Sequence, residues 1–152
     1  MSSYEIFIKR ANNLAFQATQ KGNHPFGALL IHKNKIIIEA ENTVNTDKDF
    51  TRHAELNLVV KSQRAFEPEV LAESTLYTST APCLMCTASI WSAGISRIVY
   101  SVSYEAFAKL VSPTYRYIPC GEVFERLSTA ADIIGPVLEK EGLEVFKFWP
   151  QG

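Results

Sequence analysis

Two short stretches hold residue types that in combination could do chemistry: His53-Ala54-Glu55 and Pro82-Cys83-Leu84-Met85-Cys86. Taken separately, each has ordinary explanations. A His-x-Glu at a helix start also describes a capping histidine beside a solvated acid. A Cys-x-x-Cys also suits a redox pair, half of a four-ligand structural zinc site, or two small core residues. Together they are more restrictive. One imidazole and two thiolates make three ligands of the kind zinc accepts, with a fourth position left for water, which is the plan of a catalytic site rather than a closed one. Cys83 and Cys86 are three apart, so on a helix they share a face. In a first turn, free N–H groups and the helix dipole favour thiolate. A closed site would need a fourth ligand, but Cys120 stands in a separate segment and His24 and His32 lie outside any ligand spacing. A redox pair would have no use for His-x-Glu. His53 and Glu55, two apart, do not share a helix face, so they converge only on a point off the helix end.

The elements that must position these groups follow from periodicity. Residues 4–21 carry Ile8, Ala11, Ala15 and Ala18 at helical spacing, and Gly22, Asn23 and Pro25 end the run. Residues 27–32 (GALLIH) and 36–40 (IIIEA), separated by Lys33-Asn34-Lys35, predict a hairpin whose strands are covered on both faces. Residues 41–52 are polar and read as a loop. His53 opens a helix to about residue 63, with Leu56, Val59 and Val60 at helical spacing. Residues 75–79 (TLYTS) form a strand, and Pro82-Cys83 opens a helix that Gly94 ends. Residues 97–101 (RIVYS) form another strand. Helices are expected at 105–111 and 130–141, and residues 143–148 (LEVFKF) alternate like a last strand. The order α-β-β-α-β-α-β-α-β predicts a three-layer α/β/α sandwich around a five-stranded mixed sheet.

The chain has 152 residues, of which 47% are hydrophobic. That suits one domain spanning residues 1–152, with a core large enough to fold without disulfides or structural metal. The net charge is −1 and Lys9-Arg10 is the only adjacent basic pair, which argues against a nucleic-acid surface. Three cysteines make no disulfide framework; a reducing compartment, the cytoplasm, is expected. Residues 1–10 have no signal-peptide pattern, and no apolar run reaches the roughly 18 residues of a membrane span.

His53-Ala54-Glu55 followed by Pro82-Cys83-x-x-Cys86 resembles the H-x-E…P-C-x-x-C signature of the cytidine deaminase-like zinc deaminases. Pro25-Phe26-Gly27-Ala28 is similar to the segment that opens the first strand in that superfamily, and Asn42 matches its substrate-holding asparagine. The likeness runs from about Tyr4 to Ser101. It implies the cytidine deaminase-like fold and one Zn2+ per chain on His53, Cys83 and Cys86. It also implies hydrolytic release of ammonia with Glu55 as proton carrier, and a homodimer. Asn42, Phe26 and Ala54 are the substrate contacts it suggests.

The branch is read from departures. The tRNA adenosine deaminases usually place Glu before Pro-Cys and Thr-Ala before His-Ala-Glu; here Ala81 and Thr51-Arg52 stand there. The tail Glu144-Val-Phe146-Lys-Phe148-Trp149 is similar to the aromatic tail that closes the pocket of bacterial guanine deaminases, which makes Trp149 a candidate substrate contact. Those enzymes carry an aspartate after the fourth strand, and Glu105 is the acid nearest that position. Fungal cytosine deaminases look similar around Cys83-Leu-Met-Cys86-Thr87. The expectation is a deaminase of a free nucleobase or nucleoside, guanine-like, with tRNA adenosine deaminase, cytosine deaminase and a non-catalytic zinc-binding domain as alternatives.

Overall fold

The computed structural model describes residues 1–151. Helix α1 (Ser3–Gln20) starts at a capping box in which the Ser2 hydroxyl accepts from Glu5 N–H and the Glu5 carboxylate accepts from Ser2 N–H. Strands β1 (Gly27–His32) and β2 (Lys35–Glu41) form the expected hairpin. Its turn puts Lys33 and Asn34 at φ of 50° and 64°, the left-handed conformation a two-residue hairpin requires. There follow α2 (Val44–Asp47), α3 (Ala54–Ala65), α4 (Pro68–Ala72), β3 (Thr75–Thr80), α5 (Leu84–Ser92), β4 (Arg97–Val102) and α6 (Tyr104–Val111). The chain ends with α7 (Cys120–Arg126), β5 (Asp132–Ile134), α8 (Glu139–Glu144) and a 3-10 turn (Val145–Phe148).

The five strands form one mixed sheet in the order β2-β1-β3-β4-β5. β1 pairs antiparallel with β2 and β3, while β3, β4 and β5 run parallel. Strand alternation separates two cores. Leu29, Ile31, Tyr77 and Val99 face α1, where Ile8, Ala11 and Leu14 meet them. Ala28, Leu30, Leu76 and Ile98 face the other way, against Leu58 and Val59 of α3 and Ile90 of α5. This is the three-layer sandwich expected from the sequence.

Three expectations about elements change. β2 is the sheet edge and mostly half-exposed rather than buried like β1, although α1 and α3 each touch one of its faces. Residues 130–141 are not one helix: β5 occupies 132–134, and Gly135-Pro136 separates it from α8. Residues 143–148 are helical rather than a last strand. Their alternation of Leu143, Val145 and Phe148 with charged residues fits a helix end equally well, and the parallel edge beside β4 is already taken by β5. Among the described residues, no helix is long and apolar enough to cross a membrane.

The close approach of α1 to the sheet depends on Gly27. A Cβ added there would lie 2.5 Å from Leu14 Cβ, 2.6 Å from Ala11 O and 2.6 Å from Ala15 N. Two of those three atoms are helix backbone and cannot yield without moving α1. Gly27→Ala is therefore expected to cost about 1–3 kcal/mol, a fall in Tm of roughly 2–12 °C. A calorimetric scan with an unchanged Tm would refute the close packing.

Candidate active site

Two helix N-termini meet at the carboxyl end of β3. His53 is the N-cap of α3 and Cys83 the N-cap of α5, both with extended backbone. The extended His53 (φ −69°, ψ 155°) lies outside the helix proper. This frees it from helical face geometry, so its imidazole can turn toward α5 while Glu55 enters the pocket from the first turn. The convergence that helical spacing forbids is thus achieved by one non-helical residue.

The His53 Nδ1 atom lies 3.6 Å from Cys83 Sγ and 3.5 Å from Cys86 Sγ. Tetrahedral zinc with Zn–N of about 2.0–2.1 Å and Zn–S of about 2.3 Å requires an N···S edge of about 3.6 Å. The three donor atoms all lie within 4.8 Å of one another, so the set fits zinc in both chemistry and spacing. Cys83 is held down to about 4, first by the hydrogen bond from the Cys86 thiol and then by His53. Cys86 is pushed up by that bond to Cys83 and by burial, and His53 is raised by its bond to Cys83.

The loop before Cys83 is tied down on several sides. Ala81 N–H donates to Val102 O (2.8 Å), and the Tyr104 hydroxyl donates to Pro82 O (2.5 Å) while accepting from Cys120 N–H (3.0 Å). Thr87 Oγ1 donates to Cys83 O at 2.8 Å. Cys120 is itself buried and packed in the core beside α3 and α5.

Glu55 is buried, and burial is the main cause that pushes its carboxyl up to about 7, with negative Cys83 adding to it and its own backbone N–H and His53 opposing. It opens onto a cavity of about 220 Å³ shared with His53 and Cys83. The remaining walls are His24, Phe26, Thr80, Ala81, Phe107, Tyr115 and Trp149. Phe26 sits at the centre of this aromatic shell, edge-on to Phe107, Phe146 and Trp149 at 5.8, 5.8 and 5.5 Å. His24 leans on Trp149 at 5.0 Å, and desolvation lowers its pKa. A larger groove of about 670 Å³ runs along β2; Arg10–Glu39 and Lys21–Glu41 pair four of its charges, and it holds no metal-type cluster.

The structure therefore brings together Phe26, His53, Glu55, Cys83 and Trp149, with Cys86 behind them. It does not bring Glu105 to the cavity: that residue is exposed in the first turn of α6, where a helix-start acid finds water and the helix dipole. Ala54 is fully buried and lies outside the cavity lining. Asn42 also lies outside the lining. It is buried, with Oδ1 accepting from Val44 N–H at 3.0 Å and its own N–H donating to Phe26 O at 3.0 Å. Thr80, Phe107 and Tyr115 were missed by sequence reasoning. Thr80 could have been suspected from its place before Ala81-Pro82. Nothing local marks Phe107 or Tyr115, because only packing carries them to the pocket.

Residues 1–102 match the family model for the cytidine and deoxycytidylate deaminase zinc-binding region. A protein of Schizosaccharomyces pombe named as a probable cytosine deaminase is 34% identical over all of this chain and 99% of its own length. The guanine deaminase of Bacillus subtilis is 35% identical over 67% of this chain and 66% of its own. A tRNA-specific adenosine deaminase of Buchnera aphidicola is 34% identical over 68% of each. Among solved structures, a guanine deaminase from Nitrosomonas europaea superposes with a TM-score of 0.81 at 15% identity, covering 95% of this chain and 83% of its own.

Proposed function

This chain belongs to the cytidine and deoxycytidylate deaminase zinc-binding family and is a hydrolytic zinc deaminase, and we propose that its substrate is a small free base of the cytosine class. The observation that carries the substrate is the reach of the likeness. The S. pombe relative aligns over the whole chain, including the segment that supplies Phe107, Tyr115 and Trp149. The sequence match to guanine deaminase spans 103 residues, too few to contain both His24 and Trp149, and beyond it the likeness to guanine deaminases is one of fold. A guanine-like purine, the sequence-based expectation, is the second reading, supported by the 35% identity of that match. A tRNA substrate is disfavoured because no Lys or Arg lines the cavity among the described residues, and an RNA phosphate backbone needs neutralising cations.

His53, Cys83 and Cys86 would hold zinc, which when bound supplies the Lewis acidity that lowers the pKa of water to about 7. Glu55 would take the proton of the attacking water and hand it to the ring nitrogen, then carry a second proton to the departing amine. One water is consumed, the C–N bond breaks, ammonia leaves and a carbonyl remains. A raised carboxyl pKa suits this traffic, since the group must both accept and donate near neutral pH. Phe26, Phe107, Tyr115 and Trp149 would stack on the planar base and exclude bulk water.

The test is ammonia release from zinc-loaded protein offered cytosine, guanine, adenine, their nucleosides and a tRNA anticodon arm. Release from cytosine at a kcat/KM at least tenfold above guanine is the expected result. Preference for guanine would transfer the assignment to the second reading, and release from the tRNA arm alone would refute a free-base substrate.

A further inference from the structure

β3 ends in three consecutive hydroxyl residues, Thr78-Ser79-Thr80. Two of the three hydroxyls are used inside the protein. Ser79 Oγ accepts from Gly27 N–H at 3.0 Å, and Thr78 Oγ1 donates to Thr80 O at 3.1 Å. Thr80 lines the cavity and is only 6% exposed. Its Oγ1 is buried without a hydrogen-bond partner among the described residues. A buried hydroxyl without a partner costs free energy, so one on a residue that lines a substrate cavity calls for a partner that arrives from outside.

The strand places it well for that. Thr78 and Thr80 share one face of β3, the face that looks toward α3 and α5, because side chains alternate along a strand. Thr78 lies beside Glu55. Thr80 lies two residues further toward the carboxyl end, about 6.6 Å away at the usual strand rise. That is roughly the width of a six-membered ring with its substituents. Ligands of open parallel sheets also gather beyond the carboxyl ends of the strands, and Thr80 is the last residue of β3.

We propose that Thr80 is a specificity-determining residue of this deaminase, whose side-chain hydroxyl pairs with a ring-edge nitrogen or oxygen of the base on the side away from the reacting carbon. A threonine hydroxyl can donate or accept, so either polarity at that edge is served, and a base presenting only carbon there is discriminated against. This rests on the free-base reading above and adds the group that selects among bases.

Thr80→Val keeps the shape and removes the hydroxyl; Thr80→Ser keeps the hydroxyl. The variants are compared with wild type as zinc-loaded protein on cytosine and guanine, and by calorimetry without substrate. The expected pattern has two opposite signs. Without substrate, Thr80→Val raises Tm by roughly 2–4 °C, because an unpaired buried hydroxyl is gone. With the preferred base it raises KM by roughly 3- to 10-fold, the usual worth of a neutral hydrogen bond, with kcat little changed. Thr80→Ser recovers the KM. A merely structural threonine would not separate stability from KM in this way. An unchanged KM in Thr80→Val overturns the proposal, whatever happens to Tm, and so does a KM increase that Thr80→Ser fails to recover. If guanine rather than cytosine is turned over, the cytosine reading falls while the Thr80 comparison is decided on guanine. If neither base is turned over, both fall together.

Discussion

Replacing Glu55 by glutamine is expected to lower turnover about 10²- to 10⁴-fold, the range that a positioned general acid–base contributes, while zinc stays at one per chain. The side chain keeps its size, and none of the three metal donors is touched. Loss of activity without loss of metal is therefore the diagnostic combination. Metal analysis and steady-state kinetics on the same preparation read both. A variant with more than a tenth of wild-type turnover would remove Glu55 from the proton path, whereas a variant that loses its zinc would place Glu55 in metal retention. The same substitution has a stability signature in metal-free protein. Burial raises the Glu55 carboxyl from 4.5 to about 7 in the folded chain. Over that interval the native state binds more protons than the unfolded one, so stability falls as pH rises from 4.5 to about 7. Glutamine has no such titration. The difference in stability between Glu55→Gln and wild type should therefore grow in favour of the variant across this window and level off above it. A flat difference would mean the carboxyl is not desolvated.

Removal of the metal is expected to have the second large effect. Cys86→Ser and His53→Ala should abolish stoichiometric zinc and bring turnover to background, because a three-ligand site has no spare donor. Cys120→Ser should keep its zinc: Cys120 starts α7 and belongs to no metal-type cluster of the described residues. Chelation of the wild type should also lower Tm. A ligand present at a thousandfold its Kd stabilises by about 4 kcal/mol, which is roughly 8–16 °C for a chain of this size. Adding zinc back should restore both Tm and activity. Full activity in Cys86→Ser, or a chelated enzyme that still turns over, would refute the three-donor site. Zinc uptake is expected to release protons near pH 7, since Cys86 is held protonated by Cys83 and by burial while zinc binds thiolate.

The chemistry of this protein was legible in its sequence because it is compressed into two short motifs. His53, Glu55, Cys83 and Cys86 each lie within a turn of a helix start, where local signals are strong. The Pro82-Cys83 opening and the Gly94 stop frame α5 in the residues themselves. The hairpin, α1 and the strands β3 and β4 were legible for a related reason, since their burial pattern and their turn residues agree. The end of the chain was not, because residues 130–148 carry mixed signals that pairing decides: β5 takes the parallel edge of β4 over only three residues, too few for periodicity to register. How His53 and Glu55 reach one point was also undecided by spacing; it depends on His53 standing outside α3 as its cap. The substrate pocket was the least legible part. Phe26, Thr80, Phe107, Tyr115 and Trp149 come from five separate segments. The sequence by itself determined the zinc-type donor set, because each of its two motifs is short and local and together they carry a family resemblance. Only the tertiary structure decided which walls enclose the base, because a pocket is a property of the packing between segments distant in the chain.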